Sequence, residues 1–331
     1  MGSFEIIGGK RLSGSITPQG AKNEALQVIC ATLLTSEKVH LKNVPDIRDV
    51  NRLIELIADM GTYVEKIAPE EYVFQAKDIN LDYLKTDDFK KKASSLRGSV
   101  MIVGPLLARF KKAYIPKPGG DKIGRRRLDT HFIGFEKLGA RFTIDKDTSF
   151  YEIDANDLNG SYMLLDEASV TGTANILMAA VMAKGKTVIR NAASEPHVQD
   201  LCNMLNAMGA HIDGIGSNVL TIFGAEKLEG TDFTIGPDYM EIGSFIGLAA
   251  VTRGELTIEG VNPDDLPPLK VGFSKLGISW TLSGTSLFVP SSQSLKVVND
   301  ISGQIPKIDD SPWPGFPPDL TSIMTVIATQ T

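Results

Sequence analysis

The sequence predicts an α+β fold of two domains, built from α/β repeat units of about 70 residues with buried helices inside sheets. Three observations carry this expectation. A glycine after Leu or Met closes an amphipathic stretch at Gly61, Gly139, Gly209 and Gly277, at nearly even intervals. Each interval repeats one order: an Ala-rich apolar helix, a break, a short β-branched strand, an amphipathic helix, then two strand-like segments. A recurring supersecondary block of this length decides the architecture, and strands alternating with helices make it mixed. The Ala-rich stretches, such as 173–183, carry almost no charge, the pattern of a helix buried all round.

The first copy reads as a helix over 23–34, a strand over 38–44 and a helix over 49–60. Val50, Leu53, Ile54, Ile57 and Ala58 fall on one face of that second helix at helical spacing. Asp46 is expected to cap its start, and Gly61 suits a left-handed stop. The second copy has a continuous apolar helix over 94–110, a strand over 112–117 and a helix over 130–138. The third has a helix over 173–183, a strand over 186–192 and a helix over 197–208; the fourth has 241–251, 255–261 and 266–276. A fifth helix opens at Asp319 and ends at Thr331 without the strand that follows in every earlier copy. The repeat therefore predicts a fragment of a longer chain, a natural stop in a paralogue being the alternative.

Between the strand and helix of the second copy lies Pro118 to His131, PGGDKIGRRRLDTH. From Lys111 to Arg127 there are seven cations against one anion, Asp121, in a chain of net charge −6. Glycines let backbone approach a ligand and arginine forks match phosphate oxygens, so this segment is a candidate anion site; a solvated charge run is the other reading. The acidic balance argues against general nucleic-acid binding. Cys30 and Cys202 sit in apolar helical runs and are expected to be buried free thiols. His40, His131, His197 and His211 are scattered, with no metal-ligand spacing. The first residues lack a signal-peptide core, and no apolar run is long enough to cross a bilayer, so no membrane span and a cytoplasmic location are expected.

Seven blocks, in order, resemble the UDP-N-acetylglucosamine enolpyruvyl transferase family: 20–26 (GAKNEAL), 96–110, 118–140, 168–173 (ASVTGT), 191–196 (NAASEP), 237–245 and 316–322 (FPPDLTS). The resemblance implies two domains of three units each, with the active site in the cleft between them. Residues 22–236 would form one domain, and residues 1–21 plus 237–331 the other, incomplete at its C-terminus. About four and a half of six units would be present. It implies transfer of the enolpyruvyl group of phosphoenolpyruvate to the 3′-hydroxyl of UDP-N-acetylglucosamine, with release of phosphate, at the entry to peptidoglycan precursor synthesis. No metal or organic cofactor is expected.

Addition followed by elimination needs one group to take the sugar hydroxyl's proton and another to protonate the methylene carbon. The resemblance gives the first role to Asp319; a helix N-cap is the structural reading, and the two are compatible. It gives the second to Asp121, which stands where most relatives carry a cysteine, the target of the epoxide antibiotic fosfomycin. A carboxylate lacks the soft thiolate nucleophile, so insensitivity to fosfomycin is expected. A free carboxyl titrates near about 3.9 against about 8.5 for a thiol, so Asp121 needs its pKa raised to act as an acid; a plain loop acid paired with Lys122 is the alternative. Lys22, with Asn23 beside it, would contact the phosphate of phosphoenolpyruvate, or be a solvated helix-start lysine. Arg126 would lie near both substrates. Arg97, a charge within an apolar helical run, would face an anionic ligand.

Arg126, Arg127, Leu128, Asp129 and Thr130 resemble the strip that holds uridine. Glu167, Ala168, Ser169 and Val170 match positions near the diphosphate. Two residues depart from the family pattern: Glu167 replaces a lysine of many relatives and Thr171 a glycine, which puts the diphosphate contact in doubt. His131, Glu195 and Asp238 occupy cleft positions, where a structural role is as open as a functional one. The family's phosphoenolpyruvate-gripping arginines would lie beyond Thr331, so the chain is expected to bind the nucleotide sugar and fall short at catalysis. The alternatives are a 5-enolpyruvylshikimate-3-phosphate synthase-like enzyme and a non-catalytic UDP-sugar-binding relative.

Overall fold

A computed structural model describes residues 3–116, 128–145 and 150–331. The chain divides into two compact units, one of residues 20–236 and one of residues 1–19 with 237–331. Strand β1 (Ser13–Ile16) belongs to the second.

The unit 20–236 opens with α1 (Lys22–Ala31), β2 (Val39–Lys42), α2 (Arg48–Asp59), β3 (Tyr63–Ala68) and β4 (Glu71–Gln75). It continues with α3 (Asp87–Ser94), α4 (Val103–Phe110), β5 (Lys112–Pro116), α5 (Asp129–Lys137), β6 (Arg141–Asp145) and β7 (Phe150–Asp154). It closes with β8 (Tyr162–Leu164), α6 (Val170–Ala180), β9 (Lys186–Arg190), α7 (Pro196–Ala207), β10 (His211–Asp213), β11 (Val219–Phe223) and β12 (Thr231–Thr234). The other unit adds α8 (Tyr239–Val251), β13 (Glu255–Ile258), α9 (Leu266–Ser274), β14 (Thr281–Ser283), β15 (Ser286–Val289) and α10 (Thr321–Ala328).

The repeat is plain in the sheets. Their orders are β12-β2-β4-β3, β5-β7-β6, β8-β9-β11-β10 and β1-β13-β15-β14. Each copy folds its three strands in the spatial order first, third, second, all antiparallel. In three of the sheets a strand from elsewhere in the chain joins the first strand in parallel. The four stop glycines all have positive φ: 106° at Gly61, 99° at Gly139, 97° at Gly209 and 71° at Gly277. A side chain is strained there, which is why the punctuation is visible in sequence.

The Ala-rich helices form the core of the unit 20–236. Every residue of α6 from Gly172 to Ala180 is buried, and α1 buries seven of its ten. The core of the other unit gathers Ile242, Ile246, Leu269, Phe273, Leu287, Phe316 and Leu320. Both cysteines are buried and free, and burial pushes the Cys202 thiol up to about 12.

Four local expectations change. Asp46 does not cap α2; Ile47 is the N-cap residue, and Asp46 accepts a hydrogen bond from Asn51 at 2.7 Å. Leu56, not Ala58, completes the buried face of α2. The helix expected over 94–110 is divided: Ser94 ends the separate helix α3, and the rest is a 3₁₀ stretch at Arg97–Ile102 followed by α4. Pro105 has no N–H for the ladder, and the Gly104 N–H is taken at 2.7 Å by the Asn175 side chain of α6. A Cβ on Gly104 would lie 2.2 Å from the Asn175 carbonyl oxygen, so α4 meets α6 only because residue 104 is glycine. Asp319 sits inside a 3₁₀ turn (Pro318–Leu320) with α10 starting after it, so it is not an N-cap.

Candidate functional site

The starts of α5 and α6 lie together and gather much of the expected strip. Thr130, buried in the first turn of α5, has its hydroxyl 3.1 Å from Asp166 Oδ1 and 3.2 Å from Glu167 Oε1. One hydroxyl hydrogen serves both carboxylates, so the bond is shared. Glu167 itself is exposed. Ser169 is the N-cap of α6, its hydroxyl accepting the Gly172 N–H at 3.2 Å, and Ala168 and Val170 flank it half-buried. Leu128 packs against the core, while Asp129 is exposed at the first position of α5.

His131 follows, 1% exposed. Its Nε2 lies 3.1 Å from Thr171 Oγ1 and its Nδ1 3.0 Å from Asn175 Nδ2. Burial, reinforced by the positive charge of Arg97, lowers its pKa to about 3. Arg97, Leu128 to His131 and Glu167 to Thr171 thus belong to one neighbourhood. Arg97 was expected within an apolar helix; it opens the 3₁₀ stretch and is half-buried. Gly98 lies against Leu26 of α1, which seats this stretch on the helix that begins with Lys22 and Asn23.

Lys22 forms a 2.7 Å ion pair with Asp49 in the first turn of α2. A cation at a helix start opposes the helix dipole, and Asp49 offsets that cost. Two residues on, Glu24 is 1% exposed and accepts the Gly236 N–H at 3.1 and 3.2 Å. Burial raises the pKa of the neighbouring Asp200 carboxyl, opposed by hydrogen bonds that include one with Glu24. Glu195 stands at the N-cap of α7 without a side-chain cap bond.

In the other unit, Asp238 caps α8, accepting the N–H groups of Met240 and Glu241 at 2.9 and 3.4 Å. Asp319 is exposed, and its turn rests through Leu320 on Gly243 of α8. A hollow of about 460 Å³ in this unit, lined by Pro267, Val271, Trp313 and Phe316 among others, includes none of the expected site residues. Asp121, Arg126 and Arg127 lie outside the described residues. Among the described residues, no group of three His, Cys, Asp or Glu side chains is placed to hold a metal ion. No described helix is long and apolar enough to cross a membrane.

Sequence reasoning missed Asn175, Asp49, Asp166 and Arg109. Arg109 Nη1 lies 2.8 to 2.9 Å from the carbonyl oxygens of Leu33, Thr35 and Ala76 and ties α4 to the first copy. Asn175 carried a usable signal: it is a lone amide in the run TANILMAAVMA. The partners of the others are distant in sequence.

The buried imidazoles make stability depend on pH. Burial lowers the pKa of His197 to about 4, alongside His131 at about 3. Both folded values lie below the unfolded value of about 6.5, so the unfolded chain binds more protons in between. Their contribution is complete above about pH 6.5 and is lost as pH falls, at up to about 1.4 kcal/mol per pH unit for each histidine. Calorimetric unfolding at about pH 5.5 in buffers of different ionisation enthalpy is expected to show net proton uptake; no uptake contradicts this.

The family model for EPSP synthase (3-phosphoshikimate 1-carboxyvinyltransferase) matches residues 6–325. The chain belongs to this enolpyruvyl transferase family. It is 59% identical over 330 residues to a protein of Bacteroides fragilis named UDP-N-acetylglucosamine 1-carboxyvinyltransferase, covering 100% of this chain and 76% of that one. Proteins of the same name from Bacteroides thetaiotaomicron and Treponema denticola are 58% and 54% identical, with the same coverage. Among solved structures, the enolpyruvyl transferase NikO from Streptomyces tendae superposes with a TM-score of 0.79 at 17% identity, over 98% of this chain and 74% of that one. EPSP synthase from Acinetobacter baumannii gives 0.67 at 19% identity, over 88% and 67%. These two establish the fold alone.

Proposed function

We propose that the protein transfers the enolpyruvyl group of phosphoenolpyruvate to the 3′-hydroxyl of UDP-N-acetylglucosamine and releases phosphate. The observation that carries this is the 59% identity, along the whole chain, to a relative bearing the name of that activity. The reaction opens peptidoglycan precursor synthesis, and we assign it to the cytoplasm.

In this reading Asp319 takes the proton of the sugar hydroxyl as its oxygen bonds to C2 of phosphoenolpyruvate. Asp121 delivers a proton to the methylene carbon. Loss of phosphate and of a proton from the resulting methyl group restores the vinyl ether. Lys22 and Asn23 meet the phosphate of phosphoenolpyruvate, with Arg126 near both substrates. Arg97, the strip Arg126 to Thr130 and Glu167 to Val170 hold the nucleotide sugar. His131 and Asp238 act as structural members: the first is a buried neutral ring and the second a helix cap.

Calorimetric titration with UDP-N-acetylglucosamine, with shikimate 3-phosphate as comparator, tests the substrate class. Saturable binding of the nucleotide sugar alone is expected; binding of shikimate 3-phosphate alone overturns the proposal. Asp121 further predicts that incubation with fosfomycin leaves the intact mass unchanged and produces no time-dependent inhibition. A covalent mass increase on Asp121 contradicts this.

A further inference from the structure

Hydrogen-bond polarity can be followed from two backbone groups to a half-buried hydroxyl. The Gly104 N–H can only donate, so the Asn175 atom 2.7 Å from it is the amide oxygen. The Val100 carbonyl can only accept, so the Asn175 atom 2.8 Å from it is the nitrogen. That nitrogen also lies 3.0 Å from His131 Nδ1, which therefore accepts and carries no hydrogen. A neutral imidazole with a bare Nδ1 has its hydrogen on Nε2, and gives it to Thr171 Oγ1 at 3.1 Å. The ring is 1% exposed and Asn175 fully buried, so water does not compete for these bonds. Burial and the nearby Arg97 charge keep the ring neutral.

The Thr171 oxygen is thus an acceptor toward His131, and its single hydrogen points away from the ring. Thr171 is half-buried at the second position of α6, beside Ser169 and Val170. The Ser169 hydroxyl also accepts, from the Gly172 N–H, and keeps its own hydrogen. What sets Thr171 apart is that a buried side-chain relay, rather than its own helix, fixes which side of its oxygen accepts.

We infer that the Thr171 hydroxyl donates a hydrogen bond to an anionic oxygen of the nucleotide sugar, and that His131 and Asn175 are positioning residues that set its direction. This rests on the reading, proposed above, that Ser169 and Val170 line the site of that ligand. The donor is uncharged, so its contribution is insensitive to salt, unlike that of the arginines. It also supplies a donor next to Glu167, whose carboxylate can only accept.

The test titrates UDP-N-acetylglucosamine calorimetrically into the unaltered chain and into Thr171→Val and Thr171→Ser, at low and at moderate salt. Thr171→Val, which keeps the branched shape and loses the hydroxyl, is expected to bind about tenfold more weakly at both salt concentrations. Thr171→Ser is expected to stay within about threefold of the unaltered chain. Equal binding by Thr171→Val, or a serine variant as weak as the valine one, overturns the inference. The nitrogen-15 spectrum of the ligand-free unaltered chain checks the relay without any variant. A hydrogen on Nε2 of His131 is expected, and a hydrogen on Nδ1 overturns the relay. Failure of the unaltered chain to bind the nucleotide sugar at all overturns the reading beneath, an outcome distinct from the others.

Discussion

Replacing Asn175 by leucine lowers stability by about 2 to 4 kcal/mol, although the two side chains have similar size. Asn175 Oδ1 accepts the Gly104 N–H, and Nδ2 donates to Val100 O and His131 Nδ1. Leucine strands the Gly104 N–H inside a close contact of α4 and α6 and leaves the buried His131 ring without its donor. Each such orphan costs about 1 to 3 kcal/mol, and the apolar surface gained returns part of that. Val100 O keeps its bond from the Val103 N–H, which bounds the loss. The measurement is the urea midpoint at unchanged denaturant slope. A leucine variant within about 0.5 kcal/mol of the parent would mean that water or a backbone shift satisfies these groups.

Asp319→Asn is expected to lower phosphate release about 100- to 10,000-fold, the range for loss of a general base. Affinity for the nucleotide sugar and the melting temperature are expected to change little. The reason is local: Asp319 is exposed, and among the described residues neither a cap bond nor an ion pair engages its carboxylate. The turn is held instead by Leu320, which is buried against Gly243. Measuring kcat separately from nucleotide-sugar binding decides the point. An asparagine variant that keeps its kcat removes Asp319 from the chemistry, and one that melts early gives it a structural role.

The frame of the fold was legible because its signals are local. A glycine at positive φ and an Ala-rich run need no knowledge of partners, and both recur in every copy. Helix α3 was not anticipated, since DDFKKKAS reads as a charged loop until Thr86 is seen accepting the Phe89 N–H. The break at Gly104 was hidden because Asn175, which takes its N–H, is 71 residues away. The same distance rule governs the site. Lys22 and Ser169 stand out through family-like motifs. The contacts of Thr130 with Glu167 and of Lys22 with Asp49 are tertiary facts that spacing does not encode. Arg97 sits in a different local setting from the one expected, half-buried at the start of a 3₁₀ stretch, because the apolar run around it does not show where the helix divides.

The parallel pairings at the two unit boundaries bear on how the chain comes together in time. Ala21 N–H donates to Gly236 O at 2.8 Å, and β12 lies on β2, so the unit 20–236 begins and ends at one place. Asp238 N–H donates to Gln19 O at 2.9 Å, and β1 pairs with β13 in the register Ser13 to Glu255. One unit is therefore an insertion within the other, with its two ends already sewn together. During synthesis β1 emerges first, yet waits until the whole inserted unit has been made for the strand that pairs with it. The inserted unit has every one of its own strands by Thr234 and can close before that. Sewn ends keep the loop-closure penalty of so long an insertion small, because that cost grows only with the logarithm of length. Translation order thus favours completion of the inserted unit first, with the sheet of β1 and β13 assembling after it.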